Sequence, residues 1–339
     1  MKIKILIIIS IVLCISIGIG YSFFYRRPLE RRADIIMGTV CEITLIDKDK
    51  GRRHEAFESA FRILRGIENS MSVFDEGSEL NRINTSAFHK PVYVSSDLMF
   101  VVEKSIFFST LTKGTFDITV FPLTELWNAA RQRETIPTPD AIKKCMETIG
   151  YENIVVSENA RGRQFVRFKK VGTKIDVGGI AKGYACDLVV ASLKGRGITR
   201  ALVNIGGTIF AFGKPLGKTQ WSIGVRDPRS EEKMIKTIFL NEQAISTSGD
   251  YEQFFVHEGK RYSHILDPRS GHPADQVISV SVIAPSAMVA DALSTSFFVL
   301  GIEQGMILAT KLQKVETLFI YEKDAIQEIT HTEGFPLIP

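Results

Sequence analysis

The chain has 339 residues, enough for one large core or two domains. Lys+Arg number 42 and Asp+Glu 38, a net charge of +4, so no concentrated basic face points to nucleic acid. With 45% hydrophobic and 24% charged residues, disorder, collagen and low-complexity architectures are excluded for the chain as a whole.

The segment unlike the rest comes first. Ile5–Tyr25 holds no charged residue over 21 positions and follows Lys2 and Lys4. That is long enough to span a bilayer as a helix, and longer than the roughly 7–15 residues of a typical secretory apolar region. Residues 1–27 are therefore expected to be a signal peptide or transmembrane anchor, with residues 28–339 as the exported body. Cys14 invites a lipoprotein reading, but Leu13 stands where a small residue is wanted. Arg26, Arg27, Arg31 and Arg32 fit poorly with an outward-facing flank, because positive charge tends to stay cytoplasmic. Cys41, Cys145 and Cys186 are widely spaced, with no CxxC pair, and suggest neither a disulfide framework nor a zinc knuckle.

Residues 28–35 read as a polar, Arg-rich lead-in. Thr39–Ile46 alternates like a strand, and Arg53–Ser70 carries Phe57, Ala60, Phe61, Leu64 and Ile67 at helical spacing. Ser72–Asn84 reads as a polar loop, Ser96–Thr112 as a helix ended by Lys113-Gly114, and Asp140–Ile149 as a short helix. Strands are expected at Asn153–Ser157, Gln164–Lys169 and Thr173–Val177, before a helix over Ile180–Lys194. Further strands follow at Ala201–Ile205, Thr208–Phe212, Trp221–Arg226, Lys236–Leu240, Ala244–Thr247 and Ile278–Ile283, with a pair flanking Gly259-Lys260. A last helix spans Ala287–Leu300, capped by Ser286 and stopped by Gly301. Strands with inserted helices and no strict βαβ alternation predict α+β or a mixed sheet.

Five clusters carry candidate chemistry. On the last helix Asp291 and Thr295 are one turn apart, away from the Val289, Leu293, Phe297 and Leu300 stripe. A carboxylate and a hydroxyl are hard oxygen ligands suited to Mg²⁺; the plain alternative is a solvated Asp and a packed Thr. Asp176–Gly183 (DVGGIAKG) runs from a strand through two glycines into a helix, where free N–H groups favour an anion. It is neither a Walker A nor a Rossmann loop, and a tight turn explains it equally well. Asn204-Ile205-Gly206-Gly207 is a second glycine pair after a strand. Ser246–Tyr251 (STSGDY) precedes His264–Gly271 (HILDPRSG), where His264 is the one histidine set among such residues, either a general base or a surface residue. Gly114–Trp127 reads as a strand or loop leading to a packed Trp.

Their order along the chain resembles the ApbE family of flavin transferases (FAD:protein FMN transferases). The resemblance also takes in Met37-Gly38-Thr39, Met71–Phe74 with Ser78–Asn84, Trp221–Pro228 and Ala290–Thr295, and runs from about residue 34 to 337. It implies an α+β fold with a T-fold-like core, mixed sheets with helices, and a flavin cleft between two halves. It also implies FAD as substrate, Mg²⁺, and transfer of FMN to a Thr or Ser hydroxyl of an acceptor protein, with release of AMP. Some members are Mg²⁺-dependent FAD pyrophosphatases; a non-catalytic exported flavin-binding protein is the alternative of another class. Position by position, Asp291 and Thr295 match metal ligands, with a backbone carbonyl of the Gly179–Ala181 turn, that of Ala181, as a third. Met37, Ser72 and Phe74 match flavin-contacting loops. Glu79, Asp117, Lys182, Asp187, Gly206, Gly207, Ser248 and Gly249 lie in motifs near the nucleotide. His264 matches the residue that helps deprotonate the acceptor hydroxyl.

Two departures stand out. Thr208 occupies a position where many relatives carry an acid or Asn, and Phe74 one where Tyr is common. The resemblance implies a membrane-anchored protein on the outer face of the cytoplasmic membrane. Its acceptor is expected to be a subunit of a membrane redox complex or another exported flavoprotein.

Overall fold

A computed structural model describes residues 28–337. The expected anchor over residues 1–27 lies outside the described residues.

In chain order the elements begin with β1 (Leu29–Ile36), β2 (Thr39–Ile46), α1 (Lys50–Met71), α2 (Glu79–Ser86), β3 (Val92–Tyr93) and α3 (Ser96–Leu111). Next come α4 (Phe121–Gln132), α5 (Pro139–Met146), β4 (Ile154–Glu158), β5 (Gln164–Phe168) and α6 (Ala181–Gly195). Then follow β6 (Ala201–Ile205), β7 (Thr208–Phe212), β8 (Trp221–Asp227), β9 (Ser230–Leu240), β10 (Gln243–Gly249), β11 (Phe254–His257) and β12 (Lys260–Ser263). The last are β13 (Ser279–Ala284), α7 (Ala287–Lys311), β14 (Glu316–Lys323) and β15 (Ile326–His331).

Eight strands form the central sheet in the order β1-β2-β6-β7-β10-β13-β14-β15. Their pairings are all antiparallel, so the fold is α+β. Helices α6 and α7 pack together on one face, with α1 against α6. The β8–β9 hairpin covers the other face, where Trp221, Ile223, Val225, Ile238 and Leu240 meet Ile46, Ile245, Ile283 and Ile320. Covered on both sides, β13 is buried at every position, which accounts for its run of Val, Ile and Ser. A smaller cluster, Leu123, Trp127, Ile142 and Leu266, joins α4 and α5 to the β11–β12 hairpin.

Several segments differ from the sequence expectation. Residues 28–35 are not a lead-in: β1 pairs along its whole length with β2. Within the expected loop 72–84, Ser78 caps α2 by accepting the Asn81 N–H at 3.0 Å. Thr173–Val177 forms no strand. Instead the Asn84 amide takes the place of a neighbouring strand, accepting the Ile175 N–H (2.7 Å) and donating to its carbonyl (2.9 Å). Residues 121–132 form helix α4, entered through a 3₁₀ turn that Asp117 caps and with Pro122 in its first turn. At α7, Ser286 caps as expected, and Gly301 (φ 75°, ψ −178°) breaks the helix before it resumes to Lys311. By length and composition α7 is apolar enough to cross a membrane, yet it is packed between α6 and the sheet.

Candidate active site

The site starts where two helices begin. The first N–H groups of a helix have no partner within it. In α6, Gly183 donates its orphan N–H to Asp291 Oδ2 at 2.9 Å. In α7, Asp187 receives the Ser286 hydroxyl (2.6 Å) and the N–H groups of Ala287 (2.8 Å) and Met288 (3.0 Å). Each helix thus caps the other with one aspartate. The helices can approach this closely because Gly183 has no Cβ; one there would lie 2.6 Å from Met288 Cα.

Asp291 is only 4% exposed, and no lysine or arginine among the described residues pairs with it. Its Oδ1 faces the Ser246 hydroxyl at 3.4 Å, and Ser246 in turn meets Thr208 at 2.9 Å. Thr208, the departure from the family pattern, therefore contributes a hydroxyl behind Asp291. One turn on, Thr295 lies beside the Gly178–Ile180 turn: a Cβ on Gly179 would be 3.5 Å from its Oγ1. The alternating residues Ser246 and Ser248 of β10 point their hydroxyls at this face of α7. One buried carboxylate without a cationic partner, ringed by hydroxyls, is a hard-oxygen donor set. It fits Mg²⁺ and offers nothing to a thiophilic metal.

These groups form the floor of a cleft of about 410 Å³. Of the sequence-predicted residues, Met37, Phe74, Asp117, Lys182, Gly206, Ser248, Gly249, His264, Asp291 and Thr295 line it. Met37 and Gly38 make the two-residue turn between β1 and β2, with φ of 57° and 68°. Glu68 accepts the Met37 N–H at 2.6 Å, which holds a methionine in a conformation that glycine usually takes. Phe74 is 94% exposed, an apolar ring standing free at the cleft. Lys182 reaches back to donate to the Gly178 carbonyl at 2.8 Å.

His264 follows β12, opposite Lys182 and the α4 residue Arg131. Its Nδ1 lies 3.0 Å from the Gln253 carbonyl. A carbonyl only accepts, so Nδ1 carries the proton and Nε2 is left with a free lone pair. Crowding by the cleft walls, and then the charges of Lys182 and Arg131, hold this histidine below its ordinary pKa.

The other predicted residues hold the site from outside the lining. Ser72 accepts the Phe74 N–H (3.2 Å) and so sets that loop. Glu79 accepts the Ser95 N–H (2.7 Å) at the start of α3. Asp187 caps α7. Ala181 is buried, with its N–H on the Val177 carbonyl at 2.8 Å. Gly207 donates to the Asn204 side chain at 3.0 Å. Asp117 lines the cleft, yet both its oxygens are taken, by Thr119 and by the Tyr151 N–H. Burial pushes its pKa up.

Sequence reasoning passed over three features. Ser246 and Thr208 were visible only as members of a motif and a departure. Glu252 lines the cleft next to the STSGDY motif; burial raises its pKa, helped by Asp291 and opposed by Lys182 and Arg226. Trp127, Tyr262 and Phe255 build an aromatic wall, with Tyr262 stacked 5.8 Å from Trp127 and 5.1 Å from Phe255. Trp127 showed as a packed residue, but its partners lie over 120 positions away.

Comparison with known proteins agrees with this geometry. The ApbE family profile matches residues 37–319. A FAD:protein FMN transferase of Treponema pallidum is 33% identical over 303 residues, covering 86% of this chain and 84% of the relative. One from Vibrio cholerae is 30% identical over 307 residues, covering 89% and 90%. Among solved structures, the ApbE protein of Thermotoga maritima superposes with a TM-score of 0.81 at 33% identity, over 90% of this chain and 97% of that one. The flavin transferase ApbE from Vibrio cholerae gives 0.80 at 31% identity, over 91% and 99%. With the motifs, the fold and the family profile in agreement over most of its length, the chain belongs to the ApbE family.

Proposed function

We propose that this FAD:protein FMN transferase moves FMN from FAD to a Thr or Ser hydroxyl of an acceptor protein, with Mg²⁺ and with release of AMP. The observation that carries the reading is the buried carboxylate of Asp291, which no basic side chain among the described residues pairs with, placed with Thr295 in the same cleft as an unprotonated His264 Nε2. In balance, the acceptor oxygen bonds to the FMN phosphorus. The pyrophosphate P–O bond to AMP breaks, and AMP leaves with the electron pair. His264 Nε2 takes the hydroxyl proton, a role worth roughly 10²–10⁴-fold in rate. Asp291, Thr295 and the Ala181 carbonyl would hold Mg²⁺, which when bound offsets charge on the transferring phosphoryl group. The Gly178 and Ile180 N–H groups are taken by Asp176 and by the Val177 carbonyl, so the Gly179 N–H and Lys182 are the donors of this turn that would face the phosphates. Phe74 offers a stacking face, and Met37 closes the cleft rim.

The uncharged run Ile5–Tyr25 supports export of this body, with residues 1–27 as signal or anchor and residues 28–339 as the transferase domain outside the cytoplasmic membrane. The acceptor is then an exported flavoprotein or a subunit of a membrane redox complex. Incubating the purified full chain with FAD, Mg²⁺ and such a subunit tests the chemistry, with flavin fluorescence followed on the acceptor band. Flavin on the acceptor and free AMP are expected. FMN and AMP without a labelled acceptor would replace transfer by hydrolysis, and retained intact FAD would leave only binding.

A further inference from the structure

The direction of each hydroxyl proton around Asp291 and Thr295 can be worked out from the partners alone. Ser294 donates to the Asp291 carbonyl at 3.0 Å and has no second proton. With that proton on the carbonyl, the 3.0 Å contact with Ser248 is a bond donated by Ser248. Ser248 has then spent its own proton, so at its 3.4 Å contact with Thr295 it accepts. The Thr295 proton is turned toward β10, and its lone pairs face the cleft. A parallel chain serves Asp291. An ionised carboxylate only accepts, so Ser246 donates to Oδ1, and Thr208 donates to Ser246. Thr208, Ser246 and Ser294 are all 2% exposed or less, and Ser248 is half-buried at the cleft wall.

We propose that two hydroxyl relays, Ser294–Ser248 and Thr208–Ser246, are positioning groups that preset Thr295 and Asp291 as ligands for a divalent cation. This rests on the metal reading given under Proposed function. A hydroxyl can coordinate a cation only through a lone pair, so a Thr295 proton aimed into the cleft would oppose the ion. The relays remove that orientation before the ion arrives. Partners behind metal ligands commonly contribute 10–100-fold to affinity.

Mn²⁺ titration of the full chain, with free Mn²⁺ read by electron paramagnetic resonance, tests this without turnover. Ser294→Ala frees the Ser248 proton to turn onto Thr295 and is expected to weaken Mn²⁺ binding roughly 10-fold or more. Thr208→Val keeps the shape and should weaken binding, while Thr208→Ser restores it. Ser296 lies on the same helix, buried and bonded to the Ala292 carbonyl at 2.6 Å. Ser296→Ala should lower the melting temperature and leave the Mn²⁺ affinity unchanged. Folded Ser294→Ala and Thr208→Val proteins that bind within about twofold of wild type would overturn the relays while the metal reading stands. Wild-type protein with no saturable Mn²⁺ binding would overturn the metal reading and the relays with it.

Discussion

Gly183→Ala puts the contact between the two helix starts under direct test. In an ordinary first helical turn this change stabilises, because Ala is favoured over Gly by up to about 1 kcal/mol. Here the added Cβ would sit 2.6 Å from Met288 Cα and 2.7 Å from the Ala287 carbonyl carbon, where ordinary contact starts at 3.4 Å. These are backbone atoms, with the Ala287 carbonyl oxygen closer still, and have no rotamer to escape into, so the start of α7 has to recede by at least about 0.8 Å, the gap between 3.4 and 2.6 Å. Overpacking of this kind costs about 1–3 kcal/mol. The recession also stretches the three bonds by which Asp187 caps α7, adding about 1 kcal/mol. Less the gain of up to about 1 kcal/mol for Ala over Gly, the net expectation is a loss of roughly 1–3 kcal/mol and a melting temperature lower by roughly 2–8 °C in scanning calorimetry. The shift also takes Asp291 away from the Gly183 N–H, so Mn²⁺ affinity should fall in the same variant. A Gly183→Ala protein that melts at or above the wild-type temperature would refute the close approach and the mutual capping built on it.

Four further outcomes follow from the site. Phe74→Ala should leave the melting temperature unchanged, because the ring is 94% exposed, while FAD binding by fluorescence quenching weakens roughly 5–10-fold for a lost stacking face. Met37→Gly relieves a left-handed φ of 57° and should raise stability by about 1 kcal/mol while weakening FAD binding. His264→Asn should slow transfer roughly 10²–10⁴-fold with FAD affinity retained. In the wild type, crowding by the cleft walls lowers the His264 pKa from its ordinary value, so the acid limb of the rate should lie below the ordinary histidine range and should vanish in the variant. Asp291→Asn keeps the shape and removes the charge, so metal affinity and transfer rate should fall together in a titration of activity against Mg²⁺.

Much of this architecture was legible in residue order. The 3.6-residue periodicity of Phe57, Ala60, Phe61 and Leu64 marked α1, and Ser286 with Gly301 marked the first segment of α7. What was not legible depended on partners distant in sequence. Thr173–Val177 has the composition of a strand, but its neighbour is the Asn84 side chain, and no local pattern shows that. β1 looked polar because one face of this edge strand carries Glu30, Arg32 and Asp34 in ion pairs with side chains from other elements. Residues 121–132 lacked a strong apolar stripe because one face of α4 forms the cleft wall through Thr124, Asn128 and Arg131. A face reserved for ligand does not follow core periodicity.

The motif-borne acids show where likeness to a family stops and physical chemistry takes over. Resemblance put Glu79, Asp117, Asp187 and Asp291 in the same class, near the nucleotide or its metal. Their oxygens separate them. Asp187 takes three bonds of 3.0 Å or less, all from the start of α7. Asp117 takes three between 2.7 and 2.8 Å, from Thr119 and Tyr151. Glu79 is held at 2.7 Å by the Ser95 N–H. Saturated in this way, Asp187 and Asp117 have little capacity left for a ligand; Glu79, which also takes the Ser70 hydroxyl at 3.3 Å, is set apart by standing outside the cleft lining, and all three fix the loops and helices that form the cleft. Asp291 receives one short bond, the Gly183 N–H at 2.9 Å, and its other oxygen has only a hydroxyl at 3.4 Å. Buried acids are as a rule paired or bound to a metal, and among the described residues no basic side chain pairs with Asp291. On the metal reading proposed above, a divalent cation would take that place, and the acid with the fewest close hydrogen bonds is the one proposed to carry the chemistry.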